Sequence, residues 1–243
     1  MNARVKRIIL KLRSYFKHAK RKKAVVGISG GVDSAVAAAI CAKALGSKNV
    51  IGVILPTTIT PSRDISDAKI ICKLLKIKKL EADISQIALI CSTVLKRILM
   101  KKLNKKTAGN IVARIRMLIL YAIANELNGL VVGTGDKSEI SIGYFTKYGD
   151  GACDLLPIGS LYKTEVQQIA QQLGIPKKIY CKPPSPRLWR DQTAEKELGA
   201  SYEKIDSILR KLEAGIKPKE LLAKRIIKLM KNSEHKKSSP PIL

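Results

Sequence analysis

The chain has 243 residues, 46% of them hydrophobic, enough for one good-sized α/β domain or a domain with a helical appendage. Its 46 Lys and Arg against 19 Asp and Glu give a formal net charge of +27, yet the basic residues are dispersed and only 4% of residues are aromatic, poor material for stacking nucleic-acid bases. No apolar run approaches a membrane span, the basic N-terminal stretch lacks a signal-peptide apolar region, and the five cysteines (Cys41, Cys72, Cys91, Cys153, Cys181) lack metal-ligand spacing, which points to a reduced, cytoplasmic protein without zinc.

In chain order, Val5, Ile8, Ile9, Leu12 and Phe16 lie at helical spacing, so a first helix packs on the core. Ala24, Val25, Val26 and Ile28 predict a short buried strand. Ser29-Gly30-Gly31-Val32-Asp33-Ser34 follows at once, and the apolar run from Ala35 predicts a helix to about Gly46. A second strand, Val50–Leu55, is closed by Pro56, and Pro61 opens a helix to about Leu75. Lys79–Ala82 is a short third strand. Two long apolar helices, Ile84–Met100 and Thr107–Leu127, carry more apolar positions than one stripe requires, as when a helix faces both its own core and a second subunit; a homodimer is expected. Leu130–Gly133 is the fourth strand, and residues 143–157 read as irregular. Leu161–Leu173 is helical, and two amphipathic helices and a polar tail fill 195–243. Strands alternating with helices predict an α/β fold, a doubly wound parallel sheet with flanking helices, binding ligands beyond the carboxyl ends of its strands.

Strand, glycine turn and helix together aim free backbone N–H groups and a helix N-terminus at an anion. Gly30 and Gly31 admit a phosphate close to the backbone, Ser29 and Ser34 add hydroxyls, and Asp33 offers a carboxylate to a magnesium ion on the same phosphates. No Lys follows the glycines, so this is not the kinase-type phosphate loop. Gly133-Thr134-Gly135-Asp136-Lys137-Ser138-Glu139 leaves the fourth strand at the same sheet edge, where Thr134 suits a nucleotide and Glu139 a metal; the plainer reading is a helix start capped by Thr134 or Asp136. Arg114 and Arg116 stand inside an apolar helix about half a turn apart, so they need different partners.

SGGVDS resembles the pyrophosphate loop of the ATP pyrophosphatases, whose Rossmann-like fold the expected sheet matches. With GYFTKYGDGACDLLPI, LYKTEV, LGIP, KPPSPRLW, DQTAEKELG, SYEKID and SEHKK, the chain from about residue 20 to 237 resembles the ammonia-dependent, single-domain NAD synthetases. That resemblance implies ATP-dependent amidation of nicotinic acid adenine dinucleotide through an adenylated intermediate, with release of AMP and pyrophosphate. It implies that Gly27, Ile28, Ser29, Gly30, Gly31, Val32, Asp33 and Ser34, with Thr134, Lys163 and Ser185, hold ATP. Asp33 and Glu139 would bind Mg2+, and Arg114, Lys147, Asp154, His235 and Lys236 would bind the dinucleotide. Catalysis would rest on Asp33, Glu139, Lys163 and Asp154, the last as candidate acceptor of the proton that ammonia sheds. Residues 1–243 form one domain in this reading, with no glutamine amidotransferase domain, so free ammonia is the expected nitrogen donor. Two alternatives share the glycine loop: a tRNA-modifying ATP pyrophosphatase and a non-catalytic basic binding protein. The first offers no account of GYFTKYGDGA, and the intact set of Asp33, Thr134, Glu139 and Lys163 argues against the second.

Overall fold

The computed structural model describes residues 3–216 and 218–242. The sheet has four parallel strands, β1 (Lys23–Gly27), β2 (Val50–Ile54), β3 (Lys78–Glu81) and β4 (Gly129–Val132), in the order β3-β2-β1-β4. Helices α1 (Ala3–His18), α2 (Val32–Leu45) and α3 (Ser62–Leu74) alternate with the first strands. Then come α4 (Ser85–Leu99), α5 (Lys105–Glu126), α6 (Lys137–Ile142), α7 (Lys163–Gln172) and α8 (Lys177–Tyr180). The C-terminal part holds α9 (Ala194–Leu198), α10 (Tyr202–Glu213) and α11 (Leu221–Asn232).

Alternation along the strands explains the two faces. Ala24, Val26, Val50, Ile54 and Val132 pack with α1, α2, α3 and α7 in one core; Val25, Ile51, Val53 and Val131 pack with α5 in the other. The alanines of α2 (Ala35, Ala37, Ala38, Ala39) are almost fully buried, so this helix lies close against the sheet and neighbouring helices. Each buried Val or Ile of the strands contributes about 1.5–3 kcal/mol of burial. A third core, centred on Tyr202, Ile205, Leu209 and Ile226, joins α10 and α11 to Ile142 and Tyr162. It braces the two segments that carry Glu139 and Lys163.

Most expected elements sit within two residues of their observed bounds. Short helices α8 and α9 were not expected, because four or five residues carry no periodicity. The stretch read as irregular also contains order: Leu155 bridges Val132 in parallel, so the chain runs briefly along β4. By length and composition α5 is long and apolar enough to cross a membrane, at 22 residues. Here it packs on the sheet through Ile111, Ile115, Met117 and Leu120, and carries Arg114 and Arg116.

Candidate active site

β1 and β4 are parallel neighbours, so the loops that leave them emerge at the same edge. To one side of β1 the chain proceeds to β2 and β3, to the other to β4; this is where a doubly wound sheet opens a crevice. The glycine loop is held by its own serines. Ser34 Oγ donates to the Gly31 carbonyl at 3.0 Å, and the Gly31 N–H donates to Ser29 Oγ at 3.2 Å. Gly31 is the N-cap of α2, and among the described residues no side chain caps that helix, which leaves its positive end to a ligand.

Lys163, first residue of α7, is fully buried, and its Nζ lies 2.7 Å from Asp33 Oδ2, 2.7 Å from Asp136 Oδ2 and 2.9 Å from Glu139 Oε1. Local sequence builds this cage. Asp136 and Glu139 form a capping box at the start of α6: the Glu139 N–H donates to Asp136 Oδ1 at 2.9 Å and the Asp136 N–H to Glu139 Oε2 at 3.4 Å. The Lys163 N–H donates to Ser138 Oγ at 3.0 Å, and the buried Asp206 accepts from Ser138 Oγ and from the Thr164 N–H and hydroxyl. The Tyr202 ring lies over the ammonium, 5.1 Å from centroid to Nζ, while its hydroxyl is buried without a hydrogen-bond partner among the described residues.

Burial and the neighbouring Asp33 push the Asp136 carboxyl up to about 6 against the pull of Lys163, and burial beside Asp136 raises Glu139 as well. Burial alone would lower the Lys163 ammonium, but Asp33, Glu139 and Asp136 outweigh it and hold the charge well above its ordinary range. With all three carboxylates ionised, as a bound cation would favour, they and the one ammonium sum to −2, the charge a divalent cation cancels. Oxygens of Asp33, Asp136 and Glu139 lie within 4.8 Å of one another, and Asp33 Oδ1 is buried with no hydrogen-bond partner among the described residues. Hard oxygen donors with one unspent position fit magnesium.

The residues expected to bind substrate form a second group. Arg114 Nε donates to the Lys147 carbonyl at 3.3 Å, and Lys147 Nζ donates to the His235 carbonyl. Lys236 Nζ donates to the carbonyls of Gly143 and Phe145 at 2.8 and 2.9 Å, tying the C-terminal turn to the GYFTKYGDGA segment. Gly143 has φ +69°, and a side chain there would run into Ser233. Arg116 does find a different partner from Arg114, the Leu55 carbonyl at 3.2 Å. Asp154 is tied to the neighbouring strand. Its Oδ2 accepts the Val131 N–H at 2.7 Å, a tether along β4, and among the described residues no bond joins it to the cage. Thr134 is half-buried in the loop after β4, and Ser185 Oγ donates to the Gln192 carbonyl inside its own segment.

Three buried residues at this edge, Asp136, Tyr202 and Lys182, carry no binding or catalytic role in the sequence reading, where Asp136 figures only as a cap. The D-x-x-E spacing of Asp136 and Glu139 is a visible capping signal; nothing in the sequence ties Tyr202 or Lys182 to residues 39 or 152 positions away.

Comparison with known proteins gives a consistent result. The model of the NAD synthase family matches residues 4–240. The NH(3)-dependent NAD(+) synthetase of Sulfurisphaera tokodaii is 42% identical over 97% of this chain and 86% of that protein. Among solved structures, the NMN synthetase from Francisella tularensis superposes with a TM-score of 0.90 at 32% identity, covering 99% of this chain and 97% of that one. The NH3-dependent NAD synthetase from Campylobacter jejuni, in complex with nitrate, gives 0.82 at 30% identity over 100% and 99%.

Proposed function

The chain belongs to the NAD synthase family, and we propose that it is an ammonia-dependent NAD synthetase of one domain, acting in the cytoplasm on ATP, nicotinic acid adenine dinucleotide and ammonia. The observation that supports this reading is the meeting of Asp33 and Glu139 on Lys163 Nζ, three residues from three separate segments converging at the crevice edge. Loop N–H groups, the Ser29 and Ser34 hydroxyls and the free end of α2 hold the triphosphate. Asp33 and Glu139 would hold Mg2+, which when bound would supply charge neutralisation for the departing pyrophosphate. Lys163, kept charged by its acids, adds a fixed positive group to the same oxygens. Arg114, Lys147, His235 and Lys236 bind the dinucleotide. The nicotinate carboxylate attacks the α-phosphorus and expels pyrophosphate; ammonia then attacks the acyl carbon, sheds a proton and expels AMP. The five cysteines, all free, suit a reducing compartment.

The tRNA-modifying and non-catalytic alternatives are not favoured by these family matches. A second reading takes the mononucleotide instead, favoured by the likeness to an NMN synthetase. One assay separates the cases. Purified protein with magnesium ATP releases pyrophosphate and forms NAD when given nicotinic acid adenine dinucleotide and ammonium chloride, and gives no NAD with glutamine in place of ammonium. Faster amidation of nicotinic acid mononucleotide would select the second reading; glutamine-driven turnover would refute the ammonia dependence.

The protein works as a homodimer through α4 and the outer side of α5. No residue of α4 is buried, and Leu89, Ile90, Ile98 and Met100, with Leu118 of α5, are 63–87% exposed. Sedimentation equilibrium is expected to give twice the monomer mass, and Ile90→Lys with Ile98→Lys to give the monomer; a wild-type monomer would defeat this assignment.

A further inference from the structure

Lys182 follows α8, outside the cage, and its side chain is only 5% exposed. Its Nζ makes three short contacts: Asp64 Oδ1 at 2.8 Å, Asp67 Oδ2 at 2.6 Å and the Gly30 carbonyl at 2.9 Å. Asp64 and Asp67, three apart on α3, are themselves buried. Apolar packing generally serves stability as well as a buried ion cluster does, so stability alone gives no reason for one here.

The third contact supplies that reason. Gly30 has φ +81°, and a Cβ there would collide with the Asp64 carbonyl oxygen, so the loop rests directly on the start of α3. A trans peptide carries its C=O and the following N–H on opposite sides. Drawing the Gly30 carbonyl out to Lys182 therefore turns the Gly31 N–H to the opposite side, where it donates to Ser29 Oγ. A flipped peptide would remove that donor and present a carbonyl oxygen to the anion. We propose that Lys182 is a positioning residue for the triphosphate: it fixes the Gly30–Gly31 peptide with its N–H toward the phosphates. Arg187, whose Nε lies 2.8 Å from Asp64 Oδ2, ties the clamp to the segment carrying Ser185. The inference rests on reading residues 27–34 as the phosphate loop.

Lys182→Met is a usable test because each acid keeps a second cation, Asp64 with Arg187 and Asp67 with Lys178 at 2.9 Å. Asp67→Asn is the matched control: it disturbs the same cluster and leaves the Lys182–Gly30 bond. Binding of the α,β-methylene analogue of ATP with magnesium is measured by calorimetry, beside thermal denaturation. Both variants lose stability, but Lys182→Met raises the nucleotide dissociation constant roughly 10-fold or more, the loss expected for one charge-assisted hydrogen bond, while Asp67→Asn stays within about 2-fold. Affinity for nicotinic acid adenine dinucleotide is unchanged in both. Wild-type affinity in Lys182→Met, or equal weakening in Asp67→Asn, overturns the proposal. If Lys182→Met does not fold, Lys182→Met/Asp67→Asn compared with Asp67→Asn reads the same difference. Failure of the wild-type protein to bind the analogue would remove the phosphate-loop reading itself.

Discussion

Two lysines lie buried beside the same glycine loop, and they differ in the company they keep. Lys163 faces three carboxylates and is the cage's one ammonium among the described residues, so with its acids ionised that cluster carries −2, with one Asp33 oxygen unspent. Lys182 shares Asp64 and Asp67 with Lys178 and Arg187, so two acids meet three cations and the cluster carries +1. The first arrangement is short of positive charge and takes a divalent cation readily; the second is already neutralised and has nothing to offer a metal. Burial of a lysine therefore does not by itself mark a reacting site. The balance of charge around it does, and so does the presence of an oxygen with nothing to bind.

The largest expected effect breaks the first cluster. Asp33→Ala removes the acid that carries the unspent oxygen, and magnesium-dependent pyrophosphate release should fall by roughly 1000-fold or more. The fold should survive, because Asp33 caps no helix and Lys163 keeps Asp136 and Glu139. Asp67→Asn is the contrasting change. It costs stability, roughly 1–3 kcal/mol, and leaves turnover within a few-fold. Should Asp33→Ala retain a tenth of the activity, or Asp67→Asn abolish it, the contrast between the clusters is lost.

How much of this was legible in the sequence follows from how local each feature is. The four strands and the long helices declare themselves by apolar period, and parallel winding then forces the loops after β1 and β4 to one edge. Asp33, Glu139 and Lys163 were found through motifs, and the structure joins them. Asp136 was readable as a cap, which it is, but its second role as a partner of Lys163 depends on where α7 begins in space. Asp154 is the reverse case: a carboxylate that the motif singles out also accepts from the backbone of β4, a pairing that no spacing rule reveals. Lys182 and Tyr202 were invisible because their partners come from segments distant in sequence, brought near only by the C-terminal helices and the turn after α8.

The smallest expected effect refines the first cluster from its rim. Tyr202 presents its ring to the Lys163 ammonium and buries a hydroxyl that binds nothing among the described residues. Its proton is held firmly, since burial and then the charge of Glu139 both oppose ionisation, so the group acts only as a neutral donor. A buried donor without an acceptor is destabilising, and Tyr202→Phe, which keeps the ring, should raise the stability of the metal-free protein by about 1 kcal/mol, or roughly 2–4 °C in Tm. If that hydroxyl is kept for the loaded site, the same change should weaken magnesium's effect: half-saturation in the pyrophosphate assay moves up a few-fold, and the Tm gain on adding magnesium ATP shrinks. Both readings come from one variant and have opposite signs. A Tyr202→Phe protein unaltered both in its stability without metal and in its magnesium dependence would show that the ring alone matters, and that the acidic cage ends at its three carboxylates.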